Sequence, residues 1–316
     1  MKMKVIPFLM VVLAGSLLFG SVAYAGSTSP SARTIDPIVS TDWLEANSGL
    51  KNLVILDIRS AGDYEAGHIP NAINVPFEVP NSAWITIRDD LLLELPEEAA
   101  LFETIGSCGI TGDSLVVIVT TKAEPPNPPY PLANATRVAD TLIYAGIKNV
   151  AILDGGYPKW AAEGKPVTKE VPKVKKVKYS GKVNQEMFVS AEYVLKHIGR
   201  SVIIDARDAD VYFGVKIEPF ANQAGHIPTA RSLPTPWMWN EDGTYKQKEV
   251  LAEMASSLIG DNKSKEVIVY CGVGGYASSW WYVLTQVLGY ENVKIYDGAA
   301  QDWVRNNFMV KYQWTV

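Results

Sequence analysis

The chain has 316 residues, 47% hydrophobic and 20% charged, a composition that belongs to a folded protein and excludes a disordered or low-complexity one. Its 29 Lys and Arg against 34 Asp and Glu leave no basic excess for a nucleic-acid partner. Two cysteines and three histidines are too few for a disulfide-built scaffold or a Cys/His zinc site.

In chain order, Lys2 and Lys4 precede an apolar run over 5–19, which ends in the small-residue triplet Ala23-Tyr24-Ala25. This is the order of a secretory signal, so residues 1–25 are expected to be removed on export to the periplasm or medium. The run is shorter than the roughly 20 residues of a spanning helix, so no membrane span is expected after cleavage. Loss of the two lysines takes the net charge from −5 to −7.

The rest of the chain is duplicated. An apolar run over 53–56 ends in Asp57-Ile58-Arg59 and is followed by Ala66-Gly67-His68-Ile69-Pro70; a run over 202–204 ends in Asp205-Ala206-Arg207 and is followed by Ala224-Gly225-His226-Ile227-Pro228. Further on, 116–119 matches 267–270, Asn149-Val150 matches Asn292-Val293, and Asp154-Gly155 matches Asp297-Gly298, with Trp160 and Trp303 at equal distances beyond. Short apolar runs without alternation, joined by helical stretches, predict α/β architecture: in each half a parallel sheet with helices on both faces. The predicted domains are 36–164 and 185–316, each with a core of its own. Between them, 165–184 carries seven lysines and two prolines and reads as a solvated interdomain strap.

Cys271 follows the apolar run over 266–270, and Gly272-Val273-Gly274-Gly275-Tyr276 leads from it toward a helix beginning near Ala277. The C-terminal end of a parallel strand is where open α/β sheets bind ligands. Three glycines in four positions let backbone N–H groups curl around the sulfur, and the following helix N-terminus adds partial positive charge, so thiolate is expected to be favoured over thiol.

With these blocks the chain resembles the tandem-domain rhodanese family of thiosulfate and 3-mercaptopyruvate sulfurtransferases. The Asp-x-Arg pairs, the two Gly-His-Ile-Pro blocks and the Cys271-Gly-x-Gly loop carry the resemblance, which extends from about Ile38 to the C-terminus. It implies that the second domain is catalytic and that Cys271 takes a sulfane sulfur from a small donor as a persulfide and passes it to a thiophilic acceptor. The amides of Gly272, Val273, Gly274, Gly275, Tyr276 and Ala277 would hold the persulfide, with no cofactor or metal. The alternative is a non-enzymatic module that binds a sulfur or selenium species or docks to a redox partner.

The first half has Thr120 or Thr121 where the second has its cysteine, followed by a proline-rich loop at 124–131 that makes this connection about eight residues longer. Proline has no N–H and cannot build an amide nest, so this half is expected to be non-catalytic, its loop a partner-docking element, a cover for the cleft, or a structural insertion. Members of the family place basic side chains in the active loop, where this chain has Gly272 and Val273, or arginines near the positions of Val211 and Phe220. Asp205, Arg207, Lys216 and Arg231 are the remaining supporting candidates, with Arg207 expected to pair with a carboxylate at its strand end. His68 and His226 share one context although only one accompanies a cysteine, which points to a turn-stabilising role. Cys108 falls at the opposite end of its sheet. Ala277 stands where a phosphatase-type Cys-x5-Arg loop needs its arginine.

Overall fold

The computed structural model describes residues 33–312. The expected signal segment 1–25 lies outside the described residues.

The first half contains β1 (Ile38–Val39), α1 (Thr41–Asn47), β2 (Leu53–Asp57), α2 (Ala61–Ala66), β3 (Ala72–Asn74), a hairpin of β4 (Thr86–Arg88) and β5 (Leu91–Glu94), α3 (Glu98–Ser107), β6 (Leu115–Val119), α4 (Tyr130–Tyr144), β7 (Asn149–Leu153) and α5 (Gly156–Ala162). The second half contains β8 (Phe188–Val189), α6 (Ala191–His197), β9 (Val202–Asp205), α7 (Ala209–Tyr212), β10 (Arg231–Ser232), α8 (Lys248–Ile259), β11 (Val267–Tyr270), α9 (Gly275–Tyr282), β12 (Val293–Tyr296) and α10 (Ala299–Asn306). Five parallel strands run β1-β7-β6-β2-β3 in one sheet and β8-β12-β11-β9-β10 in the other, the same order twice.

The causes of these elements repeat as well. Ser40 and Ser190 cap α1 and α6, their hydroxyls accepting from Trp43 N at 3.0 Å and Tyr193 N at 3.3 Å. β6 and β11 are buried at every position, as central strands covered on both faces must be. In both halves the Asp-x-Arg pair closes the end of a strand. Arg59 binds Asp57 and the Gly67 carbonyl, and Arg207 binds Asp205 and the Gly225 carbonyl.

The halves share a core, which departs from the expectation of one core each. Each sheet has a smaller cluster of its own, but the largest runs through both halves along α4 and α9. These helices follow equivalent strands and are buried nearly all around, with Thr136 and Asp140 of α4 facing Ser279 and Ser278 of α9 among apolar side chains. Thr136 and Ser279 hydroxyls meet across the contact at 2.8 Å, and Tyr282 Oη donates to the carbonyls of Pro37 and Val150.

The strap pairs with the first half through reciprocal hydrogen bonds of Thr168 and His68, and Val177 N donates to the Gly106 carbonyl. Lys165 is held by Asp42 at 2.6 Å and Glu45 at 2.8 Å, an exception to the solvated reading, while the other six lysines are exposed.

Candidate active site

Cys271 is the first residue beyond β11, which lies between β9 and β12 in its sheet. The chain reverses at Gly274, whose φ of +95° suits glycine, and enters α9 one residue later. The Gly274 amide donates to Cys271 Sγ at 3.1 Å, and the Val273 and Ala277 amides also act on the sulfur. Outward-facing carbonyls of Cys271 and Gly272 accept from Ala300 N at 2.9 Å and Gln301 N at 3.1 Å, so the start of α10 pins the loop in this inward-amide form. Of the six amides expected in the nest around the sulfur, those of Val273, Gly274 and Ala277 act on it.

Its electrostatic consequence differs from the expectation. Burial pushes the Cys271 thiol up, the loop amides pull it down, and the Glu218 carboxylate pushes it up again, leaving it above the ordinary thiol value. With the residue 2% exposed, the lost hydration of the anion outweighs the amides.

A cavity of about 390 Å³ opens over Cys271. Leu92, Leu93, Tyr130 and Asn134 of the first half form one wall, and Asp208, Glu218 and Phe220 of the second form the other. A Cβ built on Gly272 would stand 2.5 Å from Phe220 Cε2 and 2.9 Å from Glu218 Oε1, which explains a glycine there. Burial, reinforced by Asp205 and Asp208 and opposed by Arg207, raises the Glu218 carboxyl to about 7. The sequence reading missed Asp208, Glu218 and Tyr130. A signal was present: Arg207 to Gly225 spans 18 positions where Arg59 to Gly67 spans 8, and the extra segment carries Glu218 and Phe220.

Behind the loop lies a second missed group. Arg137 of α4, wholly buried, donates to Asp297 Oδ1 at 2.6 Å and Oδ2 at 3.1 Å, and to the Leu93 carbonyl. Asp297 abuts the loop, since a Cβ on Gly274 would lie 3.0 Å from its Oδ1 and 3.7 Å from Arg137 Nη1. Gln301 likewise joins the halves, its side chain bonding both N and O of Leu92. The first half thus contributes a cavity wall and a buried cation behind the sulfur loop.

The supporting candidates divide. Arg207 pairs with Asp205 at 2.6 Å and touches Glu218 at 3.4 Å, so it braces the wall from behind. Lys216 and Arg231 are not among the cavity-lining residues. Lys216 sits on the exposed turn after α7, and Arg231 donates to the Leu258 carbonyl near the end of α8. Among the described residues no basic side chain lines the cavity.

His68 and His226 hold turns: they stack on Tyr64 at 3.6 Å and Tyr212 at 3.9 Å, and each Nδ1 meets the same tyrosine's carbonyl. Cys108 caps α3 ahead of β6, and both cysteines are free. The last residues of the proline-rich loop lead into Tyr130, whose ring approaches that of Tyr276 at 5.6 Å, so this insertion reaches the mouth of the cavity. Thr120 occupies the position equivalent to Cys271, and its hydroxyl donates to the Pro131 carbonyl at 2.8 Å.

Among the described residues no cluster of three or more His, Cys, Asp or Glu is placed to hold a metal, and no helix is long and apolar enough to cross a membrane. The profile of the rhodanese-like domain matches residues 40–163 and 190–306. The sulfur carrier protein TtuD of Thermus thermophilus is 32% identical over 279 residues, 84% of this chain and 93% of that protein. A Saccharopolyspora erythraea protein named provisionally as a thiosulfate sulfurtransferase is 29% identical over 277 residues, 84% of this chain and 92% of that protein. SseA of Escherichia coli, a 3-mercaptopyruvate sulfotransferase structure, superposes with a TM-score of 0.70 at 26% identity over 84% of this chain and 99% of its own. The chain belongs to the rhodanese family of sulfurtransferases, as a tandem pair of rhodanese-like domains in one molecule.

Proposed function

We propose that Cys271 is the nucleophile and sulfur carrier of this sulfurtransferase. The observation that carries the reading is the cysteine's place at the floor of a cavity, ringed by the Val273, Gly274 and Ala277 amides. Glu218 lines the same cavity, and passage of the Cys271 proton to it through solvent removes two obstacles together, because the thiolate forms as the carboxylate charge opposing it is neutralised. The thiolate attacks the outer sulfur of a donor such as thiosulfate. The new S–S bond forms on Cys271, the donor's own sulfur bond breaks, and sulfite leaves with the bonding electron pair. The loop amides then stabilise the Cys271 persulfide anion. An acceptor thiolate next attacks the outer sulfur, and Cys271 departs as thiolate. Gly272 leaves room for Phe220 and Glu218, Gly275 lines the cavity beside Leu93, and Tyr276 closes the wall.

The test is the intact mass of the protein after thiosulfate or 3-mercaptopyruvate, then cyanide. A gain of roughly 32 Da that is discharged by cyanide and lost in Cys271→Ser is the expected result. A binding role without turnover has one observation in its favour, the thiol raised by burial. Absence of an adduct from a protein with a free thiol would select it.

The reading places the protein outside the cytoplasm, in the periplasm or medium, with the mature chain starting near Gly26. It rests on the charged, apolar and small-residue order of residues 1–25. Intact mass of protein recovered from those compartments tests it. The proline-rich loop at 124–131, exposed over 124–128 beside the cavity mouth, suits contact with a protein that delivers or receives sulfur.

A further inference from the structure

We propose that the Cys271 cavity selects a positively charged sulfur acceptor, a small thiol bearing an ammonium group, through Asp208, Glu218 and the rings around them. The inference rests on the reading of Cys271 as sulfur carrier and adds the chemical class of its acceptor.

Three observations support it independently. First, the wall carries two carboxylates and, among the described residues, no basic side chain. The nearest guanidinium, Arg207, is already matched by Asp205, bonding one oxygen at 2.9 Å and the other at 2.6 Å, and reaches Glu218 only at 3.4 Å. Asp208 makes no side-chain hydrogen bond at the start of α7, and the exposed Lys216 acts on it only as a nearby charge.

Second, the other lining groups suit a cation. Tyr130, Tyr276 and Phe220 present aromatic surface around the carboxylates, and ring faces attract ammonium groups. Tyr276 is nine-tenths buried, yet its Oη has no hydrogen-bond partner. Buried hydroxyls ordinarily have one, and a ligand N–H would supply it. At about 390 Å³ the cavity is at the small end of ligand sites, a size for a compact molecule and not a long peptide.

Third, the chemistry adds to the field. Once Cys271 is loaded and Glu218 has released its proton to solvent, the persulfide anion stands beside two carboxylates, so an anionic acceptor must enter against like charges while a cation is drawn in. In the transfer, the acceptor thiol gives its proton to the persulfide anion, and its thiolate attacks the outer sulfur of the resulting Cys271–S–SH. An S–S bond forms on the acceptor, the Cys271 S–S bond breaks, and the products are Cys271 thiolate and the acceptor's hydropersulfide.

The experiment loads the full-length protein with inorganic polysulfide, removes the excess, and confirms the added sulfur by mass. Discharge at pH 8 is then timed with 2-aminoethanethiol, 2-mercaptoethanol and mercaptoacetate, compounds of similar size and different charge. Each rate is divided by that thiol's rate with a small-molecule persulfide, which removes intrinsic reactivity. The expected result is a normalised preference for the aminothiol over mercaptoacetate of about tenfold or more, equivalent to about 1.4 kcal/mol. That preference should shrink severalfold in Asp208→Asn/Glu218→Gln, and in the unsubstituted protein as salt rises from about 50 mM to 500 mM. The salt series needs no variant to fold. Equal normalised rates, or a preference indifferent to salt, would overturn the proposal while leaving the carrier role intact. No mass gain on loading would overturn both.

Discussion

Replacing Arg137 by methionine tests whether the first half supports the sulfur loop from behind. Arg137 is wholly buried, and its guanidinium makes the only side-chain hydrogen bonds that Asp297 has among the described residues, at 2.6 and 3.1 Å. It also holds the Leu93 carbonyl of the cavity wall. Arg137→Met strands the Asp297 carboxylate in a nearly dry interface, and breaking a buried pair on one side costs about 3–5 kcal/mol. Arg137→Met/Asp297→Asn removes the ion pair but still leaves the buried Asp140 without its neighbouring cation, so the double variant should recover part of that loss. Urea unfolding of the three proteins measures the stability, and the rate of persulfide formation from thiosulfate measures the loop. Because Asp297 Oδ1 lies beside Gly274, whose amide meets the sulfur, Arg137→Met should slow loading even under conditions where it remains folded. A single variant that loses less than about 1 kcal/mol, or a double variant no better than the single, would refute the argument.

Three further predictions concern the site itself. Glu218→Gln should lower the midpoint of the pH profile for Cys271 alkylation by roughly one unit, since it removes a negative charge that opposes the thiolate, and an unchanged midpoint would separate the two groups. The Glu218 carboxyl is raised to about 7, so the fold favours its protonated form. That contribution is fully present below the unfolded-state value near 4.5 and is lost as pH rises through 7, at most about 3 kcal/mol in denaturant unfolding, and Glu218→Gln should flatten this decline. Gly274→Ala imposes a side chain at φ +95° and within 3.0 Å of Asp297 Oδ1; it should cost about 1–2 kcal/mol and reduce persulfide loading by at least tenfold by moving the amide away from the sulfur.

Much of this molecule is legible along the chain because its causes are local. Apolar runs without alternation become β6 and β11, buried throughout, and repetition of the Asp-x-Arg and Gly-His-Ile-Pro blocks foretells two sheets of identical strand order. Cys271 and its glycines lie within a few residues of one another, so their turn and inward amides follow from short-range geometry. The histidines too were readable, because one environment occurring twice with only one cysteine argues for structure.

The tertiary structure decided what depends on distant segments meeting. Tyr130 and Leu92 belong to the first half, and Asp208 and Glu218 to the second, yet they line one cavity because α4 and α9 pack together across a shared core. Arg137 and Asp297 are 160 positions apart, and nothing local to either announces the pair. The state of the Cys271 thiol belongs to this class as well. Its amides are a property of the loop, whereas burial and the Glu218 charge come from elements brought over it, and in the folded protein those long-range effects outweigh the local one.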